Sequence, residues 1–245
     1  VRFRILTYNI HRAIGVDRLF RPGRIAEILL AYDTDLALLQ EVDQGAPRSR
    51  GMDLARELAD QTGYPFVAVG HNVSLRKGRY GNATLSRHPI ASQRNIDLTI
   101  GLRKRRGCQH TAIRLEVAGH ARSLEVFNLH LGLSARERHQ QIGLLLGSRE
   151  LSSIPTPTPC LVAGDFNDWR SLLRPVFTDL LGFRCATESK PGRPIRTFPS
   201  FFPRGGLDRV YYRGSLRLLA TRTCRMQLSK VASDHLPVIA DFIVS

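Results

Sequence analysis

The sequence predicts an α/β (α+β) fold, a four-layer αββα sandwich in which two packed, mostly antiparallel sheets carry helices on their outer faces. Three observations predict it. Short apolar runs rich in strand-forming residues recur along the whole chain, interrupted by stretches with helical apolar spacing. These runs fall into two similar series, one for each sheet. No linker-like composition shift or low-complexity tract divides the 245 residues, so one domain over 1–245 is expected.

Phe3 to Ile10 alternates and reads as the first strand, with Asn9 near its end. Pro22 opens a helix whose Ile25, Ile28, Leu29 and Tyr32 recur at helical spacing, and Asp33 to Asp35 stop it. Leu36 to Leu39 is a second strand running into Gln40 and Glu41. A helix over Gly51 to Thr62 and a strand over Pro65 to Val69 follow. Strands are then expected at Ala83 to Ser86, Ile90 to Thr99, Cys108 to Val117 and Leu124 to Leu131. The basic turn from Gly101 to Gly107, carrying Arg103, Lys104, Arg105 and Arg106, joins two of them. Ser134 is placed to cap a helix from Ala135 to about Leu151, with Glu137 at capping-box distance. Strands at Leu207 to Tyr212, Leu216 to Gln227 and Val238 to Val244 close the chain.

The stretch from Pro159 to Asp168 organises the rest. Leu161, Val162 and Ala163 are too few for a helix and too apolar for a loop, and Pro155, Pro157 and Pro159 keep a helix from entering. Gly164 allows close backbone approach to whatever Asp165 holds. Alternation puts Asp165 and Asn167 on one side if the chain stays extended, a carboxylate and a carboxamide suited to a hard cation and a phosphate oxygen. The competing reading is that these residues cap a helix from Trp169 to Leu181.

Composition narrows the partners. Of 36 basic residues against 21 acidic ones only four are lysine, which leaves a net charge of +15 dominated by arginine forks that match phosphate oxygens. Nucleic acid or a phospholipid surface is the expected anionic partner. No apolar stretch approaches a membrane span, and Val1 opens directly into a strand. Four scattered cysteines suggest neither a zinc site nor a disulfide framework, which favours reduced thiols and the cytoplasm. A monomer is expected.

Six segments place polar residues at the edge of an apolar strand: Asn9, Glu41, His130, Asp165 with Asn167, Asp208, and Asp234 with His235. Each alone reads as a turn residue or a structural histidine. Together they are harder to dismiss, because charges directed inward cost several kcal/mol unless paired or bound to metal. Carboxylates and amides without a cysteine cluster suit Mg²⁺ or Mn²⁺.

The ordered motifs Thr7-Tyr8-Asn9-Ile10-His11, Leu39-Gln40-Glu41-Val42, Gly81-Asn82-Ala83, Asn128-Leu129-His130-Leu131, Gly164-Asp165-Phe166-Asn167, Leu207-Asp208-Arg209-Val210 and Ser233-Asp234-His235-Leu236-Pro237 resemble the endonuclease/exonuclease/phosphatase (DNase I-like) superfamily. The resemblance implies a Mg²⁺-dependent phosphodiesterase, a nuclease on DNA or RNA or else a hydrolase of phospholipid head groups and small phosphate esters.

It assigns Glu41 as principal metal ligand, with Asn9 and Asp234 beside it. His235, oriented by Asp208, becomes the base or phosphate-polarising imidazole, Asp165 and Asn167 position water, and His130 protonates the leaving oxygen or holds the phosphate. Asn82, Arg103, Arg105 and Arg209 are expected to touch substrate. His130 stands where abasic-site endonucleases usually carry a tyrosine motif and His11 where they often carry an acid, which favours a general phosphodiesterase over a repair enzyme. A non-catalytic binding module on the same scaffold is the remaining alternative.

Overall fold

The computed structural model describes residues 1–190 and 192–244. Its strands are β1 (Arg2–Asn9), β2 (Leu36–Gln44), β3 (Phe66–Ser74), β4 (Arg79–Ser86), β5 (Ile90–Asp97), β6 (Gly107–Val117), β7 (His120–His130), β8 (Cys160–Asp165), β9 (Arg184–Cys185), β10 (Glu188–Lys190), β11 (Arg193–Pro194), β12 (Asp208–Arg213), β13 (Leu216–Thr223) and β14 (Val238–Val244). Its helices are α1 (Pro22–Tyr32), α2 (Leu54–Thr62), α3 (Ala135–Gly147) and two single turns, α4 (Arg149–Ser152) and α5 (Ser229–Ala232). One six-stranded sheet runs β13-β14-β1-β2-β4-β3 and the other β5-β6-β7-β8-β12-β9. Each holds a single parallel pair, β1 with β2 and β7 with β8, among antiparallel ones. The sandwich predicted from the sequence is the one formed.

Alternation along each strand builds the layers. Leu6 and Tyr8 of β1 face outward into a core with Ile25, Ile28 and Leu29 of α1 and Leu54 and Leu58 of α2. Phe3 and Ile5 face inward and meet Leu36, Leu38, Val126, Leu161 and Val210 between the sheets. A third core, under α3, gathers Phe127, Leu129, Ile142, Leu145, Phe166 and Tyr211 on the outer face of the second sheet.

The same inward rows change character along their length. After Phe3 and Ile5 the row on β1 continues with Thr7 and Asn9, and after Leu161 and Ala163 the row on β8 continues with Asp165. At mid-depth a polar layer ties the sheets: the Gln40 amide donates to Thr7 Oγ1 and Asn128 Oδ1, and the Asn128 amide donates to the carbonyls of Leu39 and Ala83. Unpaired, these buried groups would each cost about 1–3 kcal/mol, so they fix the register of one sheet on the other.

Two helical expectations fail. No helix runs the length of Trp169 to Leu181: Ser171 has φ +55°, and only a short π-helix at Val176–Leu180, capped by Pro175, forms late in the span. The helix expected to reach Leu151 breaks at Ser148, whose extended backbone (ψ 140°) lets its hydroxyl donate to Leu145 O and cap α4. Gly164 does permit a close approach, but by protein backbone. With φ +138°, a Cβ there would lie 2.0 Å from Leu129 O of the neighbouring strand.

Candidate active site

The polar ends of the inward rows meet at one edge of the sandwich, in a pocket of about 350 Å³ lined by Asn9, Glu41, His130, Asp165, Asn167, Asp234 and His235 among others. Asp165 is its hub. One carboxylate oxygen, Oδ2, accepts from Asn9 Nδ2 at 3.0 Å and lies 3.4 Å from His130 Nε2 and 3.7 Å from His235 Nε2. Its other oxygen accepts the Asn167 backbone N–H at 3.0 Å. Asn167 is not extended, as its alternation reading required. It has φ +52°, and the turn carries its side chain into the pocket, where its amide donates to Leu131 O.

Asp208 lies directly across the ladder from Asp165, and its Oδ2 accepts from His235 Nδ1 at 2.9 Å. The loop before β14 places the ring: Ser233 Oγ donates to Asn9 O and accepts the His235 backbone N–H. Phe198 packs on the imidazole at 4.9 Å. Burial disfavours the charged ring, but Asp208 and then Asp165 outweigh it and raise the His235 pKa to about 10. Burial raises Asp165 to about 6, with Asp208 adding and His235 opposing.

His130 goes the other way. Burial first, then the Arg106 guanidinium and His235, hold its pKa well below the ordinary value, so the ring is neutral. Arg106 Nη1 stands 3.4 Å from His130 Nδ1. A guanidinium only donates, so Nδ1 must accept and the proton sits on Nε2, facing Asp165.

Glu41 reaches the pocket through a break in β2. The register with β4 shifts between Leu39 and Val42, and Glu41 takes φ +60°. Such a bulge re-aims a side chain, here toward the pocket, where the carboxylate has Arg12 Nε 3.5 Å away. Glu41, Asn9 and Asp234 offer oxygen donors without sulfur, a set that suits a hard divalent ion. Asp165, Asp208 and His235 present ligand atoms within 4.8 Å of one another. That trio already uses His235 Nδ1 and Asp208 Oδ2 on each other, while the Asn9 amide bonds Asp165 and the His11 N–H and Glu41 faces Arg12.

The expected substrate contacts are placed differently. Asn82 is buried below the pocket, its amide donating to Gly107 O and Asn128 O across the sheets. Arg209 is buried behind it, donating to Ser171 Oγ and Asp168 O. Arg103 turns out to Ser134 and Glu137, and Arg105 faces solvent. The loop instead directs Lys104 and Arg106 into the pocket. Trp169, Phe198 and Leu133 line it too, and none of these three stood out from residue type alone. For the loop pair, parity along an extended turn was the available signal, and it does not say which parity faces inward.

A fold of two sheets with an acid- and imidazole-lined edge defines a phosphoesterase-type scaffold, and comparison with known proteins agrees. The Endonuclease/Exonuclease/phosphatase family model matches residues 6–235, and the chain belongs to that family. A protein of Escherichia coli (strain K12) known as "Uncharacterized protein YbhP" is 32% identical over 98% of this chain and 95% of its own length. An endonuclease/exonuclease/phosphatase from Beutenbergia cavernae shares the fold with a TM-score of 0.80 at 21% identity, over 100% of this chain and 72% of that one. The human Nocturnin catalytic domain, solved with a bound sulfate anion, matches with a TM-score of 0.77 at 23% identity, over 100% of this chain and 95% of that one.

Proposed function

We propose that the protein is a divalent-cation-dependent phosphodiesterase, acting as a single-domain monomer, that cleaves its ester by in-line attack of water. The observation that carries this reading is the convergence on Asp165 Oδ2 of an amide and two imidazoles from separate segments. Glu41, Asn9 and Asp234 would hold Mg²⁺ or Mn²⁺, which when bound polarises a phosphate oxygen and offsets developing charge. Asp165 holds the attacking water and takes its proton, a role its raised proton affinity suits, while Asn167 fixes the carboxylate. The His235 imidazolium, backed by Asp208, faces the charge that builds on the phosphoryl oxygens and supplies the leaving-group proton. A neutral His130 holds a phosphate oxygen through Nε2–H and does not serve as the acid.

The arginine surplus favours DNA or RNA as the substrate, and steep loss of affinity with salt is expected of it. Exposed apolar side chains beside the pocket favour head-group esters as the second reading. The test is hydrolysis of plasmid DNA, single-stranded DNA, RNA, sphingomyelin, phosphatidylinositol phosphates and bis-p-nitrophenyl phosphate, with Mg²⁺, Mn²⁺ or chelator. Glu41→Ala and His235→Ala should abolish the metal-dependent turnover. Full turnover in chelator, or in both variants, would overturn the reading and leave a binding module.

A further inference from the structure

Five of the large apolar side chains most open to solvent flank the pocket, whereas Leu180 (71% exposed) and Leu30 (54%) stand apart from it. Leu102 is fully exposed at 107%, Leu133 at 76%, Phe201 at 65%, Phe202 at 58% and Trp169 at 54%. Leu133 and Trp169 line the pocket itself. Arg103, next to Leu102, reaches Ser134 and Glu137, which brings that loop against Leu133. Across the mouth, Phe198 packs on both Trp169 and His235, and the same loop continues into Phe201 and Phe202, anchored by Ser200 N donating to Asp234 O. The rim also carries Lys104, Arg105, Arg196 and Arg204 on its loops and Arg193 on β11, none with a carboxylate within 4 Å among the described residues. Arg204 lies over the Phe202 ring at 4.7 Å.

Leucine and phenylalanine at these exposures gain little from the fold, and apolar tips set among cations around a pocket mark a docking surface. Two anionic partners share that charge. Leucine has no face on which a base stacks and no donor for a phosphate, whereas leucine, phenylalanine and tryptophan tips with arginine between them match the boundary between head groups and acyl chains. We infer that this rim docks the protein on an anionic bilayer, placing the pocket over phosphoesters in the membrane plane. What is cut there rests on the phosphodiesterase reading; the docking does not.

Trp169 is the single tryptophan, so it reports the encounter directly. The chain is titrated in chelator, without turnover, with phosphatidylcholine vesicles and with vesicles containing about one-third phosphatidylglycerol. Expected are a blue shift of Trp169 emission and quenching by brominated acyl chains with the anionic vesicles. The triple variant Leu102→Ser, Phe201→Ser, Phe202→Ser, with unchanged circular dichroism and melting, should bind them about ten-fold or more weakly. Two results would overturn the inference: no emission change with either vesicle, whether or not a single-stranded oligonucleotide gives one, or equal binding by the triple variant. Docking without hydrolysis of any ester would instead remove the catalytic reading alone.

Discussion

His235 Nδ1 lies 2.9 Å from Asp208 Oδ2, a pairing of two residues 27 apart in sequence that fixes both the orientation and the charge of the ring. Asp208 is the largest influence raising that imidazole's pKa, so Asp208→Asn lowers it. If the imidazolium is the working form, the alkaline limb of the pH–rate profile moves to lower pH by about one unit or more. Movement of the acidic limb instead would assign His235 the role of base.

Arg106 is a buried guanidinium with no carboxylate within 4 Å among the described residues and an Nε without a hydrogen-bond partner. A buried cation left so needs an anion, and a substrate phosphate supplies one. Arg106→Ala should weaken competitive inhibition by inorganic phosphate about 10- to 100-fold, with Arg106→Lys between the two. Because Arg106 also depresses His130, NMR titration of that ring in the alanine variant should show its pKa rise. An unmoved His130 would mean that burial alone keeps it neutral.

Much of this was legible in the sequence because alternation is a local rule. Once Leu161 and Ala163 face inward, Asp165 must follow, and the same logic places Asn9 after Ile5 and Thr7. Asn128 and Asn82 sit in equally apolar company, yet they stop one layer short of the pocket and bind backbone. Depth along the sandwich is a tertiary quantity that no single strand reports. The Glu41 bulge was hidden for a related reason: the apolar run Leu36 to Leu39 reads as a strand that ends in Gln40 and Glu41, and only the pairing with β4 shows the strand continuing past them through a register shift.

That bulge has a cost. Glu41 at φ +60° occupies a region that glycine enters freely and other residues do so at about 1 kcal/mol or more. Glu41→Gly therefore should stabilise the protein toward urea by about 0.5–1 kcal/mol, less what Arg12 loses, while metal-dependent activity drops at least about 100-fold. Calorimetry with Mg²⁺ should show weaker binding by the same variant. A destabilised variant with full activity would remove Glu41 from the cation seat.

Away from the site, Asp241 on β14 receives Arg4 Nε from β1 and Arg222 Nη1 from β13 at 2.5 and 2.6 Å, stapling three adjacent strands. Burial alone would raise its pKa; the two guanidinium bonds overcome this and lower it. A carboxyl with a lower pKa folded than unfolded contributes stability that is complete above its unfolded value, about 3.9, and fades as pH falls through the folded one. Both arginines are more than a third exposed, which limits the contribution to about 1 kcal/mol. Asp241→Asn should therefore cost about that much in urea unfolding at pH 7 and progressively less below pH 4, where the native carboxyl takes up its proton. An equal cost at both pH values would assign the effect to packing and not to charge.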